Sequence, residues 1–208
     1  GQFNERIIAY ALDKLNGMHI PHRDRTFLVV GERGAEILKE AGQSIGAVLD
    51  MPNAVSGLTS LVQNLLLTID EWRTTSEIDE IWLLCNRSAP NAIYEPSMIR
   101  LLPVDMEWLQ QLKETRWPSR SLPTYTAEQG ILFASLIRQH LFVTLYQACA
   151  ESLASEDASR LSSMQTAEGN IKERQEELTT EYHHQRQESI TAELLDIVAG
   201  YEAVTGHR

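Results

Sequence analysis

Met164-Gln-Thr-Ala-Glu-Gly-Asn-Ile-Lys-Glu-Arg-Gln-Glu-Glu-Leu178 decides the fold, because its apolar residues Met164, Ile171 and Leu178 recur every seven positions among polar ones. That spacing is helical, and it keeps a narrow apolar face turned toward a partner helix. The stripe extends backward through Leu161, Leu153, Cys149, Leu145, Leu141, Leu136 and Leu132, and forward to Tyr182. It resumes at Ile190, Leu194, Ile197 and Tyr201, with Ile190, Ile197 and Val204 again seven apart. All seven prolines lie at or before Pro123, so no proline interrupts this region. Thr126-Ala-Glu-Gln129 has capping-box spacing and marks the expected start of the helix. A continuous helix from Ala127 to Val204 would extend on the order of 120 Å at about 1.5 Å per residue. A domain of this mass cannot bury such a length, so the apolar edge needs another long helix, one that the preceding residues do not supply.

Those preceding residues read as a mixed fold. Arg6 to Leu15 places Ile8, Ala11, Leu12 and Leu15 on one helical stripe. Thr26-Phe-Leu-Val-Val30 is a short β-branched burst ending at Gly31, as in a buried strand entering a turn. Gly34 to Glu40 reads as helix, Gly46 to Leu49 as strand, and Leu58 to Trp72 as helix with Leu61, Leu65, Leu66 and Ile69 on its apolar face. Ile78 to Cys85 and Met98 to Leu102 complete the strands, and Thr115 to Pro123 is a turn-rich hinge. The expected architecture is α/β: a small helix-covered sheet domain over residues 1–125, followed by a long carboxyl-terminal helix over 126–208.

The 208 residues carry a formal charge of -11, which offers no broad basic surface for nucleic acid. Two cysteines, Cys85 and Cys149, cannot build a disulfide framework and fit a reducing compartment. No apolar run is long enough to span a membrane. Chemistry is equally sparse. Gly31-Glu-Arg-Gly34 could present helix-start amides to a small anion, but it lacks the dinucleotide fingerprint and the phosphate-loop lysine, so an ordinary turn is the better reading. His183 and His184 point about 100° apart with no third ligand nearby. Glu173, Glu176 and Glu177 lie on a rod without an enclosing pocket, and Ser56-Gly57 and Ser88-Ala89 read as turns. A mechanical or scaffold role is favoured over catalysis.

Residue types then narrow the role. Ala154-Ser-Glu-Asp-Ala-Ser-Arg160, Met164, Ala167, Asn170, Leu178, Tyr182 and above all Arg186-Gln-Glu-Ser-Ile-Thr-Ala-Glu-Leu-Leu-Asp-Ile-Val-Ala-Gly200 resemble the carboxyl region of the rotary ATP synthase gamma subunit. Gly1-Gln-Phe-Asn4 resembles the end of that family's Gly-Leu-Cys-Gly-x-Phe-Asn segment. Glu168, His183 and Glu188 depart from the residues usual there.

The resemblance implies an α/β domain whose long helix forms an antiparallel coiled coil with an amino-terminal helix absent from this sequence, together with a first strand. It implies a central rotor shaft that couples transmembrane ion flow to ATP synthesis or hydrolysis, with alpha, beta, epsilon and the c ring as partners. No active site is expected in this chain alone, and no cofactor: ATP, ADP, phosphate and magnesium act at other subunits. Arg186, Gln187 and Thr191 are the implied contacts to the beta subunit. Met164, Ile171, Leu178, Ile190, Leu194, Ile197 and Val198 are the implied coiled-coil or bearing positions. The implied location is peripheral, at the cytoplasmic face of a bacterial inner membrane or its organellar equivalent. A non-rotary coiled-coil adaptor built on the same fold is the alternative.

Overall fold

The computed structural model describes residues 2–75, 78–89, 92–117, 119–121 and 124–205, with the backbone alone for 203–205. Gly1, Pro90, Pro118, Pro123 and the Val204 side chain lie outside the described residues, as does part of the expected hinge. The chain divides into two units, Gly1–Ser159 and Arg160–Arg208.

In the first unit, α1 (Phe3–Gly17) buries Ile8, Ala11 and Leu15, a helical stripe close to the expected one. The buried Arg25 guanidinium satisfies the carbonyls that the helix end leaves open. Its Nη2 donates to the Leu15 carbonyl at 3.1 Å and to Asn16 Oδ1 at 3.0 Å, and its Nε to the Ile20 carbonyl at 2.9 Å. β1 (Phe27–Val30), α2 (Glu32–Glu40) and β2 (Ile45–Leu49) form a parallel β-α-β crossover. Gly31, at φ 97°, makes the turn from β1 into α2, a conformation that side chains disfavour. α2 begins two residues before the expected Gly34, so Gly34 lies within the helix.

α3 (Leu58–Thr75) is the centre of the core, burying Leu58, Leu61, Val62, Leu65 and Ile69 along one face. Leu101 and Leu145 join that cluster, with Leu28, Val30, Leu49, Met51, Ile81, Leu83, Leu141 and Cys149 packed against it. Gly46 is needed for this packing, because a Cβ there would come within 2.6 Å of the Trp72 ring.

β3 (Ile81–Ala89) and β4 (Ala92–Leu102) pair antiparallel, Cys85 opposite Ser97 and Asn86 opposite Pro96. Both run well beyond the expected strands. β3 starts after Glu80, whose carboxylate accepts from the Trp82 indole at 2.9 Å. Ser88 and Ala89, read from sequence as a turn, are the end of β3, because ladder pairing with β4 overrides their weak local preference. Among the described residues the strands thus form two separate two-stranded sheets over one core, where the sequence reading expected one.

α4 (Met106–Glu114) was not anticipated; Asp105 Oδ1 caps it by accepting from the Glu107 amide at 2.9 Å. α5 (Gln129–Thr205) runs for 77 residues. Its cap is Glu128 rather than Thr126: the carboxylate accepts from the Gly130 and Ile131 amides, both at 2.9 Å, and the Glu128 carbonyl from the Leu132 amide. The threonine lies two residues too early for the expected box.

Candidate functional site

The first part of α5 is a packed surface. Leu145, Ala148 and Ser155 are buried along one face, and Arg138 and Glu151 tie its flanks to the domain through Asp70 at 2.9 Å and Arg87 at 3.3 Å. The two cysteines, far apart in sequence, come within electrostatic reach of one another here. Burial raises the thiol pKa of both Cys85 and Cys149, and Cys85 adds its own charge to the environment of Cys149, which reaches about 11. Such thiols are poor nucleophiles.

An apolar groove of about 370 Å³ lies elsewhere in the same unit, between Ile81, Leu102, Leu109, Phe133 and Ile137, with Arg73 and Asp79 among its lining residues. It brings together no nucleophile and base. Among the described residues there is also no cluster of three or more histidine, cysteine, aspartate or glutamate side chains that could hold a metal.

The other unit presents the opposite kind of surface. Met164, Ile171, Leu178, Ile190, Leu194, Ile197 and Val198 are all exposed, Ile197 to 69%. Leu161, Tyr182, Leu195 and Tyr201 add to them. Contiguous exposed apolar surface of this kind marks an interaction face. Its polar neighbours are engaged along the helix: Lys172 with Glu168 at 2.8 Å, Arg174 with Glu177 at 2.7 Å, and His184 with Glu188 at 3.5 Å. Exposed pairs of this sort hold side chains without contributing much stability.

Arg186, Gln187 and Thr191 are also exposed. Thr191 Oγ1 donates to the Gln187 carbonyl at 2.8 Å, so these two lie on one line of the helix. Arg186 points about 100° away from Gln187. The helix therefore brings Gln187 and Thr191 together and sets Arg186 on a different face.

Sequence spacing carried a further signal that the heptad reading passed over. From Met164 to Leu178 the stripe advances by seven, which winds it slowly left-handed around an ideal helix. From Leu178 onward the steps are four: Leu178, Tyr182, Arg186, Ile190, Leu194. Steps of four advance about 40° each in the other sense. The face thus turns about 160° between Leu178 and Leu194, and Arg186 occupies the seam position between two apolar stretches.

The chain matches the ATP synthase family model over residues 1–204. It is 32% identical to the ATP synthase gamma chain of Dehalococcoides mccartyi strain CBDB1 over 179 residues, covering 85% of this chain and 60% of that one. It is 29% identical to the gamma chain of Geobacter metallireducens over 209 residues, covering 99% and 69%. Among solved structures, a chain of the Euglena gracilis mitochondrial ATP synthase, in a structure of its OSCP, F1 and c-ring, superposes with a TM-score of 0.64 at 19% identity, covering 95% of this chain and 67% of that one. The likeness to that structure is one of fold. The chain spans about 60% of the length of the Dehalococcoides gamma chains it matches. With the family match running almost end to end, this chain belongs to the ATP synthase gamma-chain family.

Proposed function

We propose that the chain acts as the central shaft of a rotary ATP synthase, transmitting torque between an ion-driven c ring and a catalytic alpha/beta ring. The observation that carries this reading is α5: one helix of 77 residues, rooted in a core at Leu145 and exposing apolar residues from Leu161 to Tyr201. A shaft needs both features, since torque requires a fixed root and a surface that meets other parts in turn. In this reading residues 1–125 form the globular end facing epsilon and the c ring, and 126–208 form the lever. Met164, Ile171 and Leu178 pack against an amino-terminal helix of the full-length protein in an antiparallel coiled coil. Ile190, Leu194, Ile197 and Val198 form the bearing.

Arg186, Gln187 and Thr191 contact the beta subunit. The planar guanidinium donates in several directions and the glutamine amide both donates and accepts, so both can exchange partners as the shaft turns. ATP, ADP, phosphate and magnesium are handled by the other subunits, and the complex sits peripherally on an energy-transducing membrane. No described helix is long and apolar enough to cross one.

Reconstitution of a complete complex carrying Arg186→Ala with Gln187→Ala tests the contact. Rotation torque and coupled hydrolysis should fall while assembly persists, because both side chains are exposed. Unchanged torque would remove these residues from the mechanism. Normal assembly with no rotation in the unaltered complex would select the non-rotary adaptor instead. The chain alone should hydrolyse no ATP.

A further inference from the structure

We infer that Arg138 with Asp70 and Arg87 with Glu151 are positioning residues: the two ion pairs fix the angle at which α5 sits about its own axis on the Gly1–Ser159 unit. This angular lock rests on the geometry of that unit alone. Its consequence, that a turn of the globular end carries the lever with it instead of slipping around it, rests on the shaft reading above.

A helix held by one face resists rolling only where its side chains interlock with what they touch. A bulky knob must leave its hole before the helix can turn. α5 has such a knob at Leu145, which is 2% exposed in the α3 core with Leu141, Phe142 and Tyr146 packed around that cluster. Further along, the fully covered positions become small: Ala148 and Ser155 are 1% and 2% exposed. Ser155 Oγ finds no hydrogen-bond partner, so it adds no directional contact. Small side chains allow close approach of the helix, but they index its rotation poorly.

The ion pairs supply that index. Arg138 and Glu151 are thirteen residues apart. At about 100° and about 1.5 Å per residue, they stand about 140° apart around the helix and about 20 Å apart along it. Measured from the direction of buried Ala148, Arg138 lies about 80° to one side and Glu151 about 60° to the other. Each reaches a different element. Arg138 Nη2 donates to Asp70 Oδ2 on α3 at 2.9 Å, and Glu151 Oε2 lies 3.3 Å from Arg87 Nε on β3. The pairs at Lys172, Arg174 and His184, by contrast, stay within the helix.

Because the anchors occupy opposite flanks, a roll in either sense lifts one flank off the domain, and one pair always lengthens. Side-chain ends about 5–6 Å from the axis move about 3 Å in a roll of about 30°. That displacement takes an ion pair beyond its reach of about 4 Å. The pairs need not be strong. Exposed pairs add little to stability, but burial of the α5 face already holds the helix on the domain. The charges have only to select one angle among packings of similar burial that Ala148 and Ser155 permit.

The test places nitroxide labels on two exposed positions, Leu67→Cys on α3 and Val143→Cys on α5, and reads the distance between them by pulsed electron paramagnetic resonance. The 208-residue chain should give one narrow distribution. Arg138→Gln with Glu151→Gln should about double its width, as release of a roll of about 30° would, with the urea midpoint nearly unmoved. Arg138→Glu alone should also broaden it, and adding Asp70→Arg should narrow it again by restoring the pair in reverse. An unchanged width in the double variant would overturn the inference, as would a reversed pair that fails to narrow it, because the residues would then act through shape alone. Should the double variant fail to fold, the reversal at positions 70 and 138 decides. In a complete complex that rotates with the unaltered chain, the double variant should assemble and deliver clearly less torque; full torque would overturn the mechanical consequence. Absence of rotation with the unaltered chain would instead defeat the shaft reading, while the label distances still decide the lock.

Discussion

Leu145 and Leu178 belong to one helix and to one apolar stripe, yet the first is 2% exposed and the second 50%. Around Leu145 the stripe meets α3 and β4; around Leu178 it meets nothing among the described residues of its unit. Periodicity fixes which face of a helix seeks a partner, but not whether that partner lies in the same stretch of chain. Small residues mark the difference. Ala148 and Ser155 are buried in the first part, whereas the second carries full-sized side chains at the corresponding steps, the kind that a second helix interdigitates with.

The strongest way to break this contrast is by truncation. Leu145→Ala should cost on the order of 3 kcal/mol by urea unfolding, as buried leucine truncations do. Leu178→Ala in the same chain should change stability by no more than about 0.5 kcal/mol. Equal costs would mean that the Leu178 face is packed, and the distinction between root and lever would fail. Repeating the measurement with the full-length protein sharpens it, because a paired coiled coil should raise the cost at Leu178 and leave that at Leu145 unchanged.

Thiol chemistry reads the same contrast kinetically. With its pKa pushed up to about 11 by burial and by Cys85, Cys149 carries little thiolate at pH 8. A cysteine placed on the exposed face by Leu178→Cys should react with a disulfide reagent about a hundredfold faster than Cys149, and faster than Cys85, whose thiol pKa burial also raises. Comparable rates would show that the base of α5 opens readily. A smaller effect is expected at Arg87 and Glu151, whose side chains are 38% and 31% exposed at a separation of 3.3 Å. Glu151→Gln should cost about 0.5 kcal/mol, less in high salt.

Much of this organisation was legible in sequence because it rests on local rules. The stripes of α1 and α3, the β-branched burst of β1 and the proline-free length of α5 each follow from periodicity over a few turns. The ends of β3 and β4 were not legible: Asn86, Arg87 and Ser88 are held in β3 by pairing with β4, a non-local cause. α4 did carry a readable signal, Asp105 two residues before Glu107 with Trp108, Leu109 and Leu112 behind it, but its nine residues make a weak pattern. Within the candidate site, exposure of the stripe followed from length alone. The change from steps of seven to steps of four at Leu178 was visible in the residues and needed only a wheel to find. The approach of Cys149 to Cys85 needed the fold, since nothing local links a strand to a helix so far along the chain.

The smallest effect concerns where the lever begins, and it separates two residues only two positions apart. Glu128 accepts from the Gly130 and Ile131 amides, and those bonds hold its carboxyl pKa below the ordinary glutamate value of 4.5. A folded pKa lower than the unfolded one means that the charged carboxylate favours the folded first turn. The contribution is complete above the unfolded pKa and is lost as pH falls through the folded value, so the first turn of α5 should be intact at pH 7 and fray in acid, below about pH 4.5. Glu128→Gln retains an acceptor oxygen but removes the charge, and should flatten that pH dependence when the Gly130 amide shift is followed by NMR. Thr126→Ala should leave the same resonance unmoved, since the helix starts at Gln129 and the bonds come from Glu128. If Thr126→Ala frays the turn and Glu128→Gln does not, the capping-box reading of the sequence was the better one, and the helix in solution begins at Ala127, two residues earlier than Gln129.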